Sequence, residues 1–249
     1  MDERLTNDDI ARNLAAAREN IRQAAARAGR SENDVKLLLA TKTVDAEHIN
    51  FAISQGVRYI GENRVQELLE KYDKLCLDGA ELHFIGRLQS NKVKYIIDKV
   101  SMIHSVDSLR LAEEIERQAA KHDTVMKVLV EVNIGDEESK GGVLPEEAED
   151  FCRRLSELRH LHVCGLMAIP PKNTFVPIKN ENGGCSEKIY TNQEFFKKIL
   201  QLFLDISAKK IDNIDMYELS IGMSDDYVCA VENGSTVVRL GRAVFGSRA

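Results

Sequence analysis

The feature that most constrains the fold is an eightfold alternation of strand and helix patterns along the chain. Short runs rich in valine, isoleucine and leucine are each followed by a segment with apolar residues at helical spacing. The first run, residues 35–43 (VKLLLATKT), predicts a buried strand with Lys42 at its carboxyl end. The pattern also predicts the fourth, seventh and eighth strands at residues 102–106, 216–219 and 237–240, a helix that begins at Ser90, and a polar loop at residues 136–142. Such alternation is typical of α/β proteins, in which a parallel sheet is covered by helices.

The number of repeats and the chain length together favour a closed sheet. Eight short strands in 249 residues predict a single (β/α)8 TIM-type barrel rather than an open doubly wound sheet. An extra amino-terminal helix, capped at residues 7–9, precedes the first strand. No Gly-x-Gly-x-x-Gly follows that strand, so dinucleotide binding has little support.

Composition and charge exclude several classes of function. A net charge of −6 disfavours nucleic acid or an anionic membrane as the main partner. No apolar run reaches membrane-spanning length, and the polar, acidic amino terminus does not resemble a targeting peptide. The five cysteines are scattered without metal-type pairs, which indicates a reducing compartment, and we expect a cytoplasmic protein. His160 and His162 lack a third ligand nearby, so we expect no metal site.

The loops after the seventh and eighth strands predict a phosphate site. Enzymes with barrels of this kind place their sites at the carboxyl ends of the strands, with phosphate commonly held by these two loops. Gly222 and Ser224 follow the seventh strand just before a helix, and Gly241 follows the eighth. Glycines allow backbone N–H groups to approach an anion, and a helix amino terminus favours negative charge.

A lysine that faces a phosphate site predicts pyridoxal 5'-phosphate (PLP) held as a Schiff base. Lys42 would supply the amine, which must lose its proton before it attacks an aldehyde. Arg239 is expected to donate to the pyridine nitrogen. Because arginine stays protonated, that nitrogen would remain unprotonated and the ring would withdraw electrons weakly. This arrangement favours binding, or a restricted chemistry such as racemisation.

Seven short motifs resemble the pyridoxal phosphate homeostasis proteins, whose fold is similar to the amino-terminal barrel of alanine racemase. They span nearly the whole chain in family order. The motifs are residues 40–43 (ATKT), 61–67 (GENRVQE), 83–92 (HFIGRLQSNK), 165–167 (GLM), 219–226 (LSIGMSDD), 238–241 (VRLG) and 245–246 (FG).

The resemblance implies one fold-type III PLP-binding domain over residues 1–249. It also implies a set of cofactor-binding residues, namely Lys42, Asn63, Ser224, Arg239, Gly241 and Arg242. In this set Lys42 carries the Schiff base and Asn63 lies beside the cofactor. Ser224 and the amides of Gly241 and Arg242 hold the phosphate, and Arg239 faces the pyridine nitrogen. The family is thought to carry or buffer PLP and to influence amino-acid and keto-acid balance without an established turnover.

Three functions remain open from the residues. The first is a PLP carrier that serves PLP-dependent apo-enzymes, and the second is a PLP-dependent amino-acid racemase or related enzyme. A racemase needs a second acid/base group, which alanine racemase takes from a carboxyl-terminal domain across a dimer interface. The sequence stops at Ala249, directly after the eighth strand, so we expect a carrier and a monomer. The third is a barrel enzyme that acts on a sugar phosphate without PLP.

Residues 170–192 depart from the family pattern, because this connection is longer and more polar than usual. It has three prolines and little periodicity, and we expect a flexible loop insertion. The sequence alone assigns no role at the site to His83, Arg87 or Met223.

Overall fold

We analysed a computed structural model of the 249-residue chain. It describes residues 5–135, 141–171, 174–179, 185–190 and 192–246, with the backbone alone for the two segments between 174 and 190. Most of the polar loop predicted at 136–142 lies outside the described residues.

Eight parallel strands close into a barrel in the order β1-β10-β9-β6-β5-β4-β3-β2, which confirms the predicted (β/α)8 architecture. Two further strands, β7 and β8, form a separate antiparallel pair. The strands are β1 (Lys36–Ala40), β2 (Tyr59–Glu62), β3 (Glu81–Phe84), β4 (Met102–Val106), β5 (Met126–Val132), β6 (Leu161–Ala168), β7 (Thr174–Lys179), β8 (Cys185–Tyr190), β9 (Ile214–Met223) and β10 (Val237–Leu240).

Helices follow most barrel strands and cover the outside of the barrel. They are α1 (Asn7–Arg27), α2 (Ala46–Ser54), α3 (Val65–Tyr72), α4 (Leu109–Lys121), α5 (Ala148–Leu155), α6 (Asn192–Ala208), α7 (Tyr227–Glu232) and α8 (Arg242–Phe245). The helix predicted from Ser90 is a 3-10 helix, Ser90–Tyr95, and its N-cap residue Gln89 makes no side-chain cap bond. No helix in the described part of the chain is long and apolar enough to cross a membrane.

The extra helix α1 packs against helices near the carboxyl end of the chain. Thr6 and Asp9 form its capping box, one residue before the predicted cap. The Asn13 side-chain amide donates to the carbonyl of Val244 at 3.0 Å. Further along, Asn20 donates to the Tyr227 hydroxyl at 2.8 Å. Helix α1 therefore packs on the last helices of the barrel, beside the seam where β1 pairs with β10.

The inside of the barrel is only partly apolar. Most large buried side chains fill the layer between the strands and the helices. Two smaller apolar clusters lie apart from that layer, one around Leu38 and Ile85 and the other around Met102 and Leu129. A connected group of polar side chains, described below, is buried as well. Because buried polar groups are costly unless they are paired, this group needs a specific explanation.

Two segments differ from the sequence-based expectation. Strand β9 continues through Met223, beyond the predicted end at residue 219, because β10 pairs with it at Ser220 and Met223. The expected loop at 170–192 contains the two-stranded ribbon β7–β8, paired from Thr174↔Tyr190 to Lys179↔Cys185. The prediction of a loop without secondary structure is therefore wrong for these strands, and its flexibility stays a prediction.

Candidate functional site

All six residues expected to bind a cofactor line one cavity of about 330 Å³ at the carboxyl ends of the barrel strands. They are Lys42, Asn63, Ser224, Arg239, Gly241 and Arg242. The remaining wall includes Ile85, Ile169, Pro171, Asn192 and Met223. His83 and Arg87 are not among its lining residues. The sequence therefore predicted which residues meet, and their binding roles are taken up below.

Lys42 lies in a tight turn just after β1. The amide of Val44 donates to the carbonyl of Thr41 at 3.0 Å and closes the turn. Thr43 adopts a left-handed φ of 64°, which is rare for a β-branched residue. The Glu67 carboxylate accepts a 2.9 Å hydrogen bond from the Thr43 amide, and this bond holds the strained position. Strain of this kind is typical of functional sites, where the surrounding structure fixes one conformation.

A buried ion pair supports the backbone beneath Lys42. Glu62, at the end of β2, is fully buried, and its Oε1 accepts hydrogen bonds from Thr41 Oγ1 at 2.7 Å and Lys71 Nζ at 2.9 Å. Lys71 also donates to the carbonyl of Thr41 at 2.9 Å. One lysine therefore neutralises the carboxylate and anchors the residue that precedes Lys42.

Ser224 sits at the amino end of α8. Its hydroxyl oxygen accepts hydrogen bonds from the amides of Gly241 at 3.4 Å and Ala243 at 3.1 Å. The Arg242 guanidinium pairs with Asp225 at 2.5 Å, and both side chains are exposed. This corner thus gathers amide groups, a hydroxyl and an arginine, which is the donor set that a phosphate requires.

Gly222 has a packing role that the sequence analysis missed. It lies within β9 at a φ of +92°, and a Cβ atom there would meet the Cβ of Ala230 at 2.5 Å. Gly222 therefore lets β9 approach α7 closely, and it is not among the residues that line the cavity. The expectation that its amide approaches an anion stays a prediction.

Arg239 forms the inner wall of the cavity and is buried, with only 5% of its surface exposed. Its Nη1 donates to the carbonyl and the hydroxyl of Ser220, both at 2.6 Å, and its Nη2 donates to the carbonyl of Ala168 at 3.1 Å. Burial lowers its pKa to about 10, while Glu131 and Asp226 partly offset that effect. The side chain is charged at neutral pH and is held in one orientation.

Two carboxylates near this wall have raised pKa values. Burial raises the pKa of Asp226, although its oxygens accept hydrogen bonds from the Met223 amide at 2.6 Å and from Asn192 at 2.7 Å. Burial and repulsion by Asp107 raise the pKa of Glu131 to about 6. Asp226 lies in one of the sequence motifs without a predicted role, and no sequence signal singles out Asn192 or Glu131.

Two buried amide oxygens in the cavity wall need a ligand or water. Asn63 Oδ1 and Asn192 Oδ1 have no hydrogen-bond partner among the described residues. Buried polar atoms are paired in the great majority of cases, and exceptions concentrate at binding sites. The cavity therefore fits a polar ligand that reaches both Asn63 and Asn192 and places its anionic end near Ser224.

The described residues contain no group of three or more His, Cys, Asp or Glu side chains that could hold a metal ion. His160 pairs with Glu116 at 2.8 Å, and His162 pairs with Asp215 at 2.9 Å. Both histidines thus have ordinary structural partners.

Known proteins resemble this chain along nearly its whole length. The family model of the alanine racemase N-terminal domain matches residues 12–249. A protein of Aquifex aeolicus named pyridoxal phosphate homeostasis protein is 43% identical over 94% of this chain and 96% of its own length. A protein of the same name from Escherichia coli K12 is 38% identical, with 97% of each chain covered.

Solved structures show the same fold. A protein of Bifidobacterium adolescentis, described as unknown, superposes with a TM-score of 0.84 at 34% identity, covering 96% of this chain and 95% of its own. PipY of Synechococcus elongatus, solved with PLP bound, gives 0.78 at 29% identity and covers 95% of this chain and 100% of its own. Alanine racemase of Corynebacterium glutamicum gives 0.65 at 15% identity, with 98% of this chain and 62% of that chain covered, so it shows the fold alone.

Proposed function

Because the chain belongs to the family of pyridoxal phosphate homeostasis proteins, we propose that it binds PLP in this cavity and carries or buffers the cofactor. The observation that carries the proposal is the convergence of Lys42, Ser224 and Arg239 on one cavity with an unpartnered Asn63 oxygen. Each of these groups matches a different part of PLP: the aldehyde, the phosphate, the pyridine nitrogen and the ring substituents.

The residues divide the work of holding the cofactor. Ser224, with the amides of Gly241 and Arg242, holds the phosphate at the start of α8. Arg239 donates to the pyridine nitrogen, and its fixed orientation supports that role. Lys42 would supply the amine that reacts with the aldehyde of PLP, with the release of one water molecule. When bound, PLP supplies this reactive aldehyde and an electron-withdrawing ring.

We propose that the protein has no robust turnover of amino acids. Racemisation requires two acid/base groups on opposite faces of the cofactor. The described residues that line the cavity include no tyrosine, histidine or cysteine. Both oxygens of Asp226 already accept hydrogen bonds, and Asp225 is paired with Arg242. Lys42 is therefore the one candidate base that we assign in the described wall.

The first experiment is the visible absorption spectrum of the purified protein with and without added PLP. We expect a band near that of a lysine Schiff base, and borohydride reduction followed by peptide mass analysis should place the adduct on Lys42. Lys42→Ala should lose the adduct, whereas Lys121→Ala, at the end of α4, is the matched control and should keep it. A colourless protein that gains no band with PLP would reject the proposal.

Amino-acid turnover separates a carrier from an enzyme. The loaded protein is incubated with L-alanine and other amino acids, and chiral chromatography follows the products. We expect no sustained racemisation, and turnover at enzyme-like rates would exclude the carrier function while leaving the PLP site intact.

We further propose that the protein acts as a monomer and passes PLP to PLP-dependent apo-enzymes. Analytical ultracentrifugation of the loaded protein tests the first statement. Mixing the loaded protein with an apo-transaminase tests the second. In the presence of an agent that traps free PLP, transaminase activity should return faster with the loaded protein than with the same concentration of free PLP.

A further inference from the structure

The polar group buried inside the barrel forms one continuous chain of hydrogen bonds. It runs from Arg239 to Ser220 Oγ (2.6 Å), from Ser220 Oγ to His104 Nδ1 (3.1 Å), and from His104 Nε2 to His83 Nδ1 (3.0 Å). It ends at Glu81 Oε2, 3.3 Å from His83 Nε2. Arg239 and Glu81 lie at opposite ends of the barrel strands, so the chain spans the interior from the cavity to the far mouth.

Donor and acceptor chemistry gives this chain a single direction. Arginine can only donate, and the Glu81 carboxylate can only accept. The carboxylate requires a proton on His83 Nε2, which leaves Nδ1 of a neutral His83 as an acceptor, so the Ser220 hydroxyl accepts from Arg239 and directs its own proton to His104 Nδ1. A neutral His104 then carries its proton on Nε2 and donates to His83 Nδ1. His83 in turn donates from Nε2 to the Glu81 carboxylate. Every link therefore points from the cation at the cavity to the anion at the far mouth.

Burial enforces this arrangement. Ser220 and His104 are fully buried, and His83 is 2% exposed, whereas half of the Glu81 side chain is exposed. Burial also lowers the pKa of His104 well below its ordinary value, so the ring is neutral at pH 7. Barrel interiors are usually filled by branched apolar side chains. A polar chain in that place is tolerated only if each member keeps its partner.

We propose that Ser220, His104, His83 and Glu81 form a one-directional relay that positions Arg239 as a fixed donor toward the cavity. This proposal rests on the proposed PLP site, where Arg239 faces the pyridine nitrogen. The four residues are positioning residues, because they act through Arg239. With its proton on Nδ1, His104 would donate to Ser220 Oγ, so Arg239 would share its hydroxyl acceptor, and His104 Nε2 could no longer donate to His83.

The first test needs no cofactor. Nitrogen-15 NMR of the unloaded protein at pH 7 should show both His104 and His83 protonated on Nε2 and bare on Nδ1. In Glu81→Ala, a change at an exposed end of the chain, the resonances of both rings should shift. A His104 ring protonated on Nδ1, or a shift confined to His83 in Glu81→Ala, overturns the relay.

The second test uses the loaded protein and reads the absorption band of PLP together with its dissociation constant. Hydrogen bonds to charged groups are strong, so Ser220→Ala and His104→Leu should each weaken PLP binding by about tenfold and shift the band. Their double variant should show little further loss, because both break the same chain. Ser220→Thr, which keeps the hydroxyl, should restore the band.

Cys164→Ala is the matched control, since Cys164 is a fully buried residue that takes no part in the relay. It should leave the band and the affinity unchanged. If the unmodified protein binds no PLP, the proposed function fails and the NMR tautomers still decide the relay. If the unmodified protein binds PLP and Ser220→Ala and His104→Leu match it in band and affinity, the relay is overturned.

Discussion

Glu62 places a full negative charge beneath Lys42, and Lys71 is the cation that neutralises it. Taking two ions out of water is costly, and removing one partner leaves the other buried and uncompensated. Loss of either ion should therefore destabilise the turn that holds Lys42 by more than the loss of its hydrogen bonds alone.

We expect Lys71→Met to destabilise the fold by about 3–5 kcal/mol, because it strands the Glu62 carboxylate. Urea unfolding followed by circular dichroism measures this loss. The double variant Glu62→Gln/Lys71→Met should recover part of it, whereas Arg153→Ala, which removes an exposed pair with Glu149, should change stability by less than about 1 kcal/mol. Equal losses in Lys71→Met and Arg153→Ala would contradict the assignment.

The raised pKa of Glu131 makes the stability of the fold depend on pH. In the unfolded chain the Glu131 carboxyl group loses its proton near pH 4.5, whereas in the folded chain it keeps the proton to about pH 6, because burial and Asp107 raise its pKa. Its contribution to stability is therefore present below pH 4.5 and is lost as the pH rises through 6, by about 2 kcal/mol.

Glu131→Gln should remove the loss of stability that accompanies ionisation of Glu131. Unfolding free energies measured between pH 4 and 7 should converge for the two proteins at the acid end and favour the variant by about 2 kcal/mol at neutral pH. Parallel curves for the two proteins would show that Glu131 has an ordinary pKa.

At the scale of elements, the strand ends that build the cavity are packed so closely that glycine is required at one of them. A Cβ atom on Gly86, just after β3, would collide with the carbonyl oxygen of Asn63 and lie 2.7 Å from its carbonyl carbon. The loop after β2 and the loop after β3 thus touch through backbone, and this contact fixes Asn63 at the cavity wall.

Gly86→Ala should therefore displace Asn63 and cost about 2 kcal/mol or more in stability, with weaker PLP binding. Calorimetry and a PLP titration measure the two effects. Gly29→Ala is the control: it has a positive φ of +68°, but a Cβ added there would meet no atom within 4 Å, so it should lose only about 1 kcal/mol and bind PLP normally. Normal binding by Gly86→Ala would show that the loop adjusts.

Elements bounded by local signals were predicted well. Strands β4 and β10 have the predicted limits, because each is a short, mostly apolar run closed by polar or turn residues. The end of β9 was missed because Gly222 and the polar Ser220 indicate a loop locally, whereas pairing with β10 extends the strand. The β7–β8 ribbon was missed because Pro177, the two prolines before the ribbon and the weak periodicity argue against strands.

The sequence predicted which residues line the candidate site, but not the buried residues behind them. Lys42, Ser224 and Arg239 could be placed together because the carboxyl ends of barrel strands share one face. The relay behind Arg239 could not, since Ser220 and His104 are 116 residues apart and meet only through the barrel's register. Such long-range contacts leave no periodic signal in the sequence.

At the scale of the whole molecule, the barrel closes without the β7–β8 ribbon. We expect replacement of residues 175–189 by Gly-Ser-Gly to leave the barrel folded, with a stability change of less than about 1 kcal/mol, because Thr174 and Tyr190 already pair. Chemical denaturation and far-ultraviolet circular dichroism test this. Loss of a single cooperative transition would show that the ribbon supports the barrel.

Binding of PLP should stabilise the entire fold, since its residues come from both ends of the sequence. At a free concentration about one hundred times the dissociation constant, the gain is about 2.7 kcal/mol, or a rise of about 5–10 °C in Tm for a chain of this size. Differential scanning fluorimetry measures it, and Lys42→Ala should show a smaller shift. An equal shift in Lys42→Ala would place the stabilising contacts elsewhere.

The pairing of β1 with β10 limits how early the barrel can fold during synthesis on the ribosome. Residues 36–39 wait for residues 237–240 to leave the ribosome before the sheet can close. Helix α1 likewise finds Val244 and Tyr227 only at the end of synthesis. Contacts so distant along the chain fold slowly and leave strand edges exposed in the meantime. The cofactor cavity is thus the last part to form, and a truncated translation product would display strand edges without the means to capture PLP.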